Sequence, residues 1–368
     1  MNYPTISLCM IVKDEEDYLP LCLESVRHIV DEIIIVDTGS SDRTISIAES
    51  YGARVISYLW QYDFAAARNR GLQEAVGDWI LWLDADEQLD PQEGKKLKEL
   101  LTRDEINKYC IESIQFILIN HMEDNFVEKV SIPRMVRNRP EYRFEGKIHE
   151  QIISSVLRLY PKSTVGHFDI SIHHYGFTSQ NVIRKNKVTR NMNLLIQAQA
   201  EEPENLVYSF YLGLEFYRCN KLSKALDHLN AFLAQQTSYS DMMVASAYKH
   251  KCMTLQLLNR HEELIRCSEE GITRFMHYVD LYHLKAQGLN GLGRTYEAID
   301  TLRQAGRIGA APDHFPSTIG LGSYVTYFEL GTLHESLGEC NEAMECYSQA
   351  LLLNPDFLPA REARDRLI

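Results

Sequence analysis

Apolar positions keep two different rhythms along this chain. From residue 5 to residue 83, short β-favouring runs alternate with stretches of helical spacing. Thr5–Val12 is an apolar run of strand length, and Tyr18–Arg27 has apolar residues three and four apart. Within Glu32–Val36, Ile33-Ile34-Ile35-Val36 is the unbroken run of a strand covered on both faces. Thr44–Tyr51 predicts a helix that stops before Gly52, and Ala53–Tyr58 a third strand. Ala65–Val76 predicts a helix closed by Gly77, and Asp78–Leu83 a fourth strand. Strands separated by helices need crossover connections, so the spacing predicts a mainly parallel sheet.

The rhythm changes after Leu101, where helix signals fade. Cys110–Asn120, Val127–Val136 and Val165–His174 are β-like, which predicts a second half of the same domain with antiparallel strands. From about residue 180 helix dominates and an internal repeat emerges. Leu330-Gly331, Gly338, Ala343, Tyr347, Ala350 and Pro355 are spaced as in the tetratricopeptide repeat of about 34 residues. Weaker copies start near 206 (Leu212-Gly213, Ala225), 245 (Tyr248, Leu255) and 279 (Tyr282, Gly293, Ala298, Ala305). Such spacing puts small residues where two antiparallel helices touch and large ones between them. A generic helical bundle is the competing reading. The expected domains are residues 1–178 and 179–368.

Composition narrows the function. Net charge is -13, from 38 Lys+Arg against 51 Asp+Glu, which argues against nucleic acid as a partner. None of the eight cysteines forms a C-x-x-C pair or a zinc-like spacing. Most lie in apolar patterns, as reduced buried thiols do. No apolar run approaches the ~20 residues of a membrane span, and Met1–Thr5 lacks a signal-peptide pattern. These features place the protein in the cytoplasm.

Three acidic clusters follow predicted parallel strands, at the edge where open α/β sheets bind ligands. They are Met10-Ile11-Val12-Lys13-Asp14-Glu15-Glu16, Val36-Asp37-Thr38-Gly39-Ser40-Ser41-Asp42-Arg43-Thr44 and Leu83-Asp84-Ala85-Asp86-Glu87. Asp14 and Asp42 could equally serve as helix caps. Asp84 and Asp86, two apart at a strand end, can face one hard cation, Mg2+ or Mn2+. Such an ion neutralises a diphosphate leaving group. A dinucleotide-dependent oxidoreductase would need G-x-G-x-x-G in the first turn, which here holds no glycine. A nucleotidyltransferase would need a glycine-rich basic segment there, also absent.

In this order the clusters resemble glycosyltransferase family 2, whose members have the GT-A fold of nucleotide-diphospho-sugar transferases. The resemblance is specific over residues 5–90 and looser to 176. It implies an α/β GT-A domain followed by an all-α tetratricopeptide-like domain. It implies that Ile11 and Lys13 line the nucleobase site and that Asp37 hydrogen-bonds uracil. Ala67-Arg68-Asn69-Arg70-Gly71 is similar to a family segment whose Arg, here Arg68, approaches the nucleotide. Asp84 would contact ribose and sugar, and Asp86 the metal, with Asp84 beside it. Asp14 departs from the Asn common in the related subfamily and adds charge near the nucleotide.

Family 2 enzymes are mostly inverting, with a carboxylate deprotonating the acceptor. Gly146-Lys147-Ile148-His149-Glu150 resembles their G-x-[IV]-H-E segment. It implies Glu150 as base, with His149 an alternative or a phosphate contact. Ile172-His173-His174-Tyr175-Gly176 also has a counterpart, in which His174 is a third metal ligand or a structural or substrate contact. One of Arg134, Arg137 and Arg143 is a candidate for the diphosphate.

The expected donor is a UDP-sugar. Relatives of this architecture include bacterial enzymes that glycosylate Cys or Ser of small peptides, and others that build cell-surface glycans. The repeats point to a polypeptide acceptor, or to homodimerisation. A non-catalytic adaptor with a degenerate transferase domain is the alternative, and nucleotide-sugar turnover separates the two.

Overall fold

The computed structural model describes residues 3–122, 127–176, 187–235 and 239–368. The chain divides into two compact units, Met1–Leu194 and Leu195–Ile368. The boundary expected at 178/179 lies outside the described residues.

The first unit holds β1 (Ile6–Val12), β2 (Glu32–Asp37), β3 (Arg54–Ser57), β4 (Trp79–Trp82), β5 (Glu87–Leu89), β6 (Ile111–His121), β7 (Val127–Arg137) and β8 (Thr164–His174). Their order is β3-β2-β1-β4-β7-β6-β8-β5. The first four are parallel, joined through α1 (Leu19–Val26), α2 (Thr44–Ser50) and α3 (Phe64–Leu72). In β2 every residue from Ile33 to Asp37 is buried, as its unbroken apolar run requires. Val12 pairs with Asp37, and Cys9 with Trp82. The turns after β1, β2 and β4 therefore emerge along one edge.

Helix α3 ends at Leu72 rather than at the expected Val76. The backbone N–H groups of Val76 and Gly77 are taken by Glu32 Oε1 (2.7 Å) and Ser7 Oγ (2.8 Å). They cannot also serve a helical ladder.

Beyond β4 the sheet is mixed rather than purely antiparallel. β7 is antiparallel to β4 and β6, β8 is parallel to β6, and β5 is antiparallel to β8. The sequence did not signal α5 (Asp104–Lys108) or α6 (Ile153–Leu159), which follow α4 (Pro91–Leu101). Helix α6 turns the chain so that β8 returns parallel to β6. It holds through burial of Val156 and through Ser155 Oγ, which accepts Arg143 N–H at 3.1 Å. This pairing sets Asn120 and Glu87 on either side of His174.

Helix α7 (Lys187–Glu201) runs across the division between the units. Four antiparallel pairs follow: α8 (Leu206–Arg218) with α9 (Leu222–Leu233), α10 (Asp241–Leu257) with α11 (His261–Arg274), α12 (Val279–Gly291) with α13 (Thr295–Ile308), and α14 (Tyr324–Ser336) with α15 (Cys340–Leu353). Helix α16 (Leu358–Asp365) closes the array. The pairs at Leu206 and Val279 begin where the repeat spacing places them, and the one expected near 245 begins at Asp241. The unforeseen feature is the long connection 309–323. It is tied down by buried Asp280, which meets Lys249 Nζ at 2.9 Å and accepts from Ser317 Oγ at 2.5 Å. Among the described residues no helix is long and apolar enough to cross a membrane.

In the last pair, Gly331 lies against the ring of Tyr347, which is fully buried, and any Cβ there would collide with that ring. Gly331→Ala is expected to destabilise the protein by about 1–3 kcal/mol. Urea unfolding followed by circular dichroism would show it, and an unchanged midpoint would contradict this packing.

Candidate active site

The turns after β1 and β2 are tied to each other by their own acids. Asp14, with φ +52°, donates its N–H to Ser40 Oγ (3.0 Å) and accepts Ser41 N–H (2.7 Å). Asp42 accepts the N–H of Glu16 (3.1 Å) and of Thr44 (2.9 Å), the first residue of α2. Asp14 is thus a loop-to-loop tie rather than a helix cap, and Asp42 does both jobs. Asp37 is buried at the end of β2, where its carboxylate accepts from Gly39 N–H (3.0 Å) and Ser40 N–H (3.2 Å). Gly39, at φ +106°, supplies the left-handed turn this needs. Beside it Ile11 is half-buried and Lys13 exposed.

The turn after β4 carries most of the charge. Arg68 Nη2 donates to Asp84 Oδ1 at 2.8 Å, and Arg134 Nη2 stands 3.5 Å from Asp84 Oδ2. Burial alone would push the Asp84 carboxyl up, but the two guanidinium groups outweigh it and hold it down at about 2. Glu87, fully buried, accepts Asp84 N–H (3.0 Å) and pairs with Arg134, which fixes the turn. Arg68 Nη1 and Arg134 Nε are buried with no hydrogen-bond partner among the described residues, so each guanidinium has a spare donor there.

Arg68 also reaches the His-Glu segment, donating from Nε to Glu150 Oε1 at 2.5 Å. Arg68 is 9% exposed and the Glu150 side chain 11%. The segment is closed by reciprocal backbone bonds between Glu145 and Gln151 (2.9 Å each), with Gly146 at φ +95° and His149 at +54°. Phe64 N–H donates to Lys147 C=O at 2.8 Å.

Asp86, 5% exposed, lies on the other side of the turn. Its Oδ1 is 3.4 Å from His174 Nε2, and His174 Nδ1 meets Asn120 Oδ1 at 2.8 Å. Burial would push the His174 imidazole down, yet the Asp86 hydrogen bond raises it overall. Among the described residues no three His, Cys, Asp or Glu side chains form a ready metal cage. The Asp86–His174 pair nevertheless fits a divalent cation that keeps waters and takes its remaining ligands from substrate phosphate. At Gly176 a Cβ would stand 2.5 Å from both Asp86 Oδ2 and His174 Nε2, so glycine leaves this cradle open. A carboxylate oxygen beside an imidazole oriented by a second polar group is the donor set such an ion needs.

The sequence-predicted residues therefore fall into two contacting groups, Arg68–Asp84–Glu150 and Asp86–His174, with Asp37, Ile11 and Lys13 along the same edge. Both carboxylate oxygens of Asp84 face arginines. Arg134 joins the site, whereas Arg137 bonds Ile111 C=O (3.1 Å) and Asn107 (2.6 Å), and Arg143 bonds Pro140 C=O (2.6 Å). Glu87 and Asn120 have site contacts that the sequence did not give. Asn120 comes to the site only through the strand pairing of β8, whereas Glu87 is carried there by the D-x-D turn.

A twisted α/β sheet with acidic turns along one edge is the architecture of a nucleotide-diphospho-sugar transferase, here followed by helical repeats. Residues 7–167 match the sequence model of glycosyl transferase family 2, and residues 324–357 match a tetratricopeptide repeat. A TPR repeat-containing protein of Synechococcus elongatus is 31% identical over 318 residues, covering 83% of this chain and 76% of that protein. The SPbeta prophage-derived glycosyltransferase SunS of Bacillus subtilis is 25% identical over 331 residues, covering 85% of this chain and 75% of SunS. The chain belongs to glycosyltransferase family 2 and is a glycosyltransferase with C-terminal tetratricopeptide repeats.

Proposed function

We propose that the protein transfers a sugar, with inversion, from a UDP-sugar to a polypeptide acceptor and uses Mg2+ or Mn2+. The observation that carries this reading is the Glu150–Arg68–Asp84 chain, which ties a carboxylate loop to the D-x-D turn. Asp37 is assigned to the nucleobase, flanked by Ile11 and Lys13. Asp86 and His174 would hold the cation, which when bound neutralises the departing diphosphate. The spare N–H groups of Arg68 and Arg134 suit diphosphate oxygens.

An acceptor hydroxyl or thiol attacks the anomeric carbon from the face opposite the diphosphate. The bond from that carbon to the diphosphate oxygen breaks as the new one forms, and the acceptor proton passes to Glu150 Oε2. Arg68 engages the other oxygen, Oε1, and so fixes which one faces the acceptor. His149, the neighbouring residue, is the alternative base or a phosphate contact. The repeats between 179 and 368 are assigned to recruiting the polypeptide, since stacked helix pairs present extended concave surfaces.

The test is nucleoside diphosphate release from a panel of UDP-, GDP- and dTDP-sugars, with and without Mn2+. Metal-dependent release from one UDP-sugar is the expected result. Neither release nor nucleotide binding with any donor would return the chain to the adaptor alternative.

A further inference from the structure

Asn69 stands next to Arg68 on α3, and its side-chain amide is engaged away from the D-x-D turn. Its side-chain amide closes a two-bond clamp on the backbone of a residue far away in sequence. Nδ2 donates to Phe144 C=O at 3.0 Å, and Oδ1 accepts Phe144 N–H at 2.8 Å. An amide that satisfies both polar groups of one residue fixes that residue's position and orientation, as a strand partner would.

Phe144 is the residue from which the Glu150 segment starts. Its ring is buried, stands edge-on to Trp82 with centroids 5.2 Å apart, and lies 5.6 Å beneath the Arg68 guanidinium. The far end of the segment is held by the Glu145–Gln151 bonds and its middle by Phe64 N–H to Lys147 C=O. Helix α3 thus grips the segment at three places: Phe64 on Lys147, Arg68 on Glu150 and Asn69 on Phe144.

We infer that Asn69 is a positioning residue for sugar transfer: it sets the height of the Glu150 segment over the D-x-D turn without touching substrate. The inference rests on the reading of Glu150 as base. The Glu150 loop has two left-handed residues, Gly146 and the non-glycine His149, a conformation that persists only where the surroundings hold it. Its placement must come from outside the loop. Asn69 supplies a neutral clamp whose geometry does not depend on the charges that change during the reaction, which Arg68 cannot do.

The test is a double-mutant cycle with UDP-sugar turnover and UDP affinity as separate readouts. Asn69→Ala is expected to lower kcat by about a hundredfold, the cost of a misplacement near 1 Å, with UDP affinity unchanged. Adding Asn69→Ala to Glu150→Gln is expected to cause no further loss, because a residue that acts through Glu150 has nothing left to position. Asn69→Asp, which keeps the acceptor for Phe144 N–H but sets a carboxylate oxygen against its carbonyl, is expected to lose kcat as well and covers the case in which the alanine variant does not fold. Trp82 emission is expected to shift in both Asn69 variants as Phe144 moves. Equal losses in kcat and UDP affinity, full activity in Asn69→Ala, or additive losses in the double mutant would each overturn the role of Asn69 alone. Full activity in Glu150→Gln would instead overturn the base assignment on which it rests.

Discussion

Asp86→Ala is expected to abolish sugar transfer, with a fall of about 10³-fold or more, the rate equivalent of the several kcal/mol that a cation contributes to a departing diphosphate. The same loss is expected when the unaltered protein is treated with excess chelator. The variant, unlike the unaltered protein, should not recover on adding Mn2+ or Mg2+. Asp86 is almost fully buried and its carboxylate meets His174 Nε2. Bonds other than those of that carboxylate also hold the turn: Tyr175 N–H bonds the Asp86 carbonyl at 3.0 Å, and Glu87 accepts Asp84 N–H. Circular dichroism should therefore show an intact fold, while calorimetric titration with Mn2+ should show lost affinity. Full activity in chelator would remove the cation from the mechanism and leave Asp86–His174 as a structural pair.

The parallel half of this site was legible because its physics is local. A strand buried on both faces must be apolar throughout, so Ile33–Val36 declares itself, and the acids that follow such strands lie at the binding edge by topology. The repeats were legible for a similar reason, since close helix contact demands small residues at fixed intervals, as at Gly331 against Tyr347.

The remainder depends on which strands pair, and register over a long separation leaves no mark in spacing. Asn120 and Glu87 reach His174 only because β8 lies between β6 and β5. Among the three arginines near 140, the pairing of β7 against β4 decides. Arg137 pairs with Trp79 and Met135 with Leu81, so Arg134 arrives at the end of β4 where Asp84 begins, while Arg137 lies at the opposite end. Lys249 and Asp280 likewise meet within the repeats and hold down a connection, 309–323, that no repeat spacing announces.

Arg68 shows how far a resemblance carries and where geometry adds to it. The resemblance sends this residue toward a nucleotide; the structure also makes it the common partner of two carboxylates. Glu150→Gln keeps the shape and an oxygen to accept the Arg68 N–H, so the fold and donor binding should survive. The ability to take a proton is gone, and kcat should drop by about 10²–10⁴-fold, the range of a general base. Arg68→Met should behave differently. It leaves Glu150, 11% exposed, and Asp84 without their shared cation, a change that costs about 3–5 kcal/mol when a buried pair loses one partner. That variant should lose thermal stability and activity together, whereas Glu150→Gln should lose activity alone. Steady-state kinetics beside thermal unfolding of both proteins separates the two effects. If Glu150→Gln turns over at the rate of the unaltered protein, the proton must leave by another route. His149, next to Glu150 in the same clamped segment, is then the residue to replace.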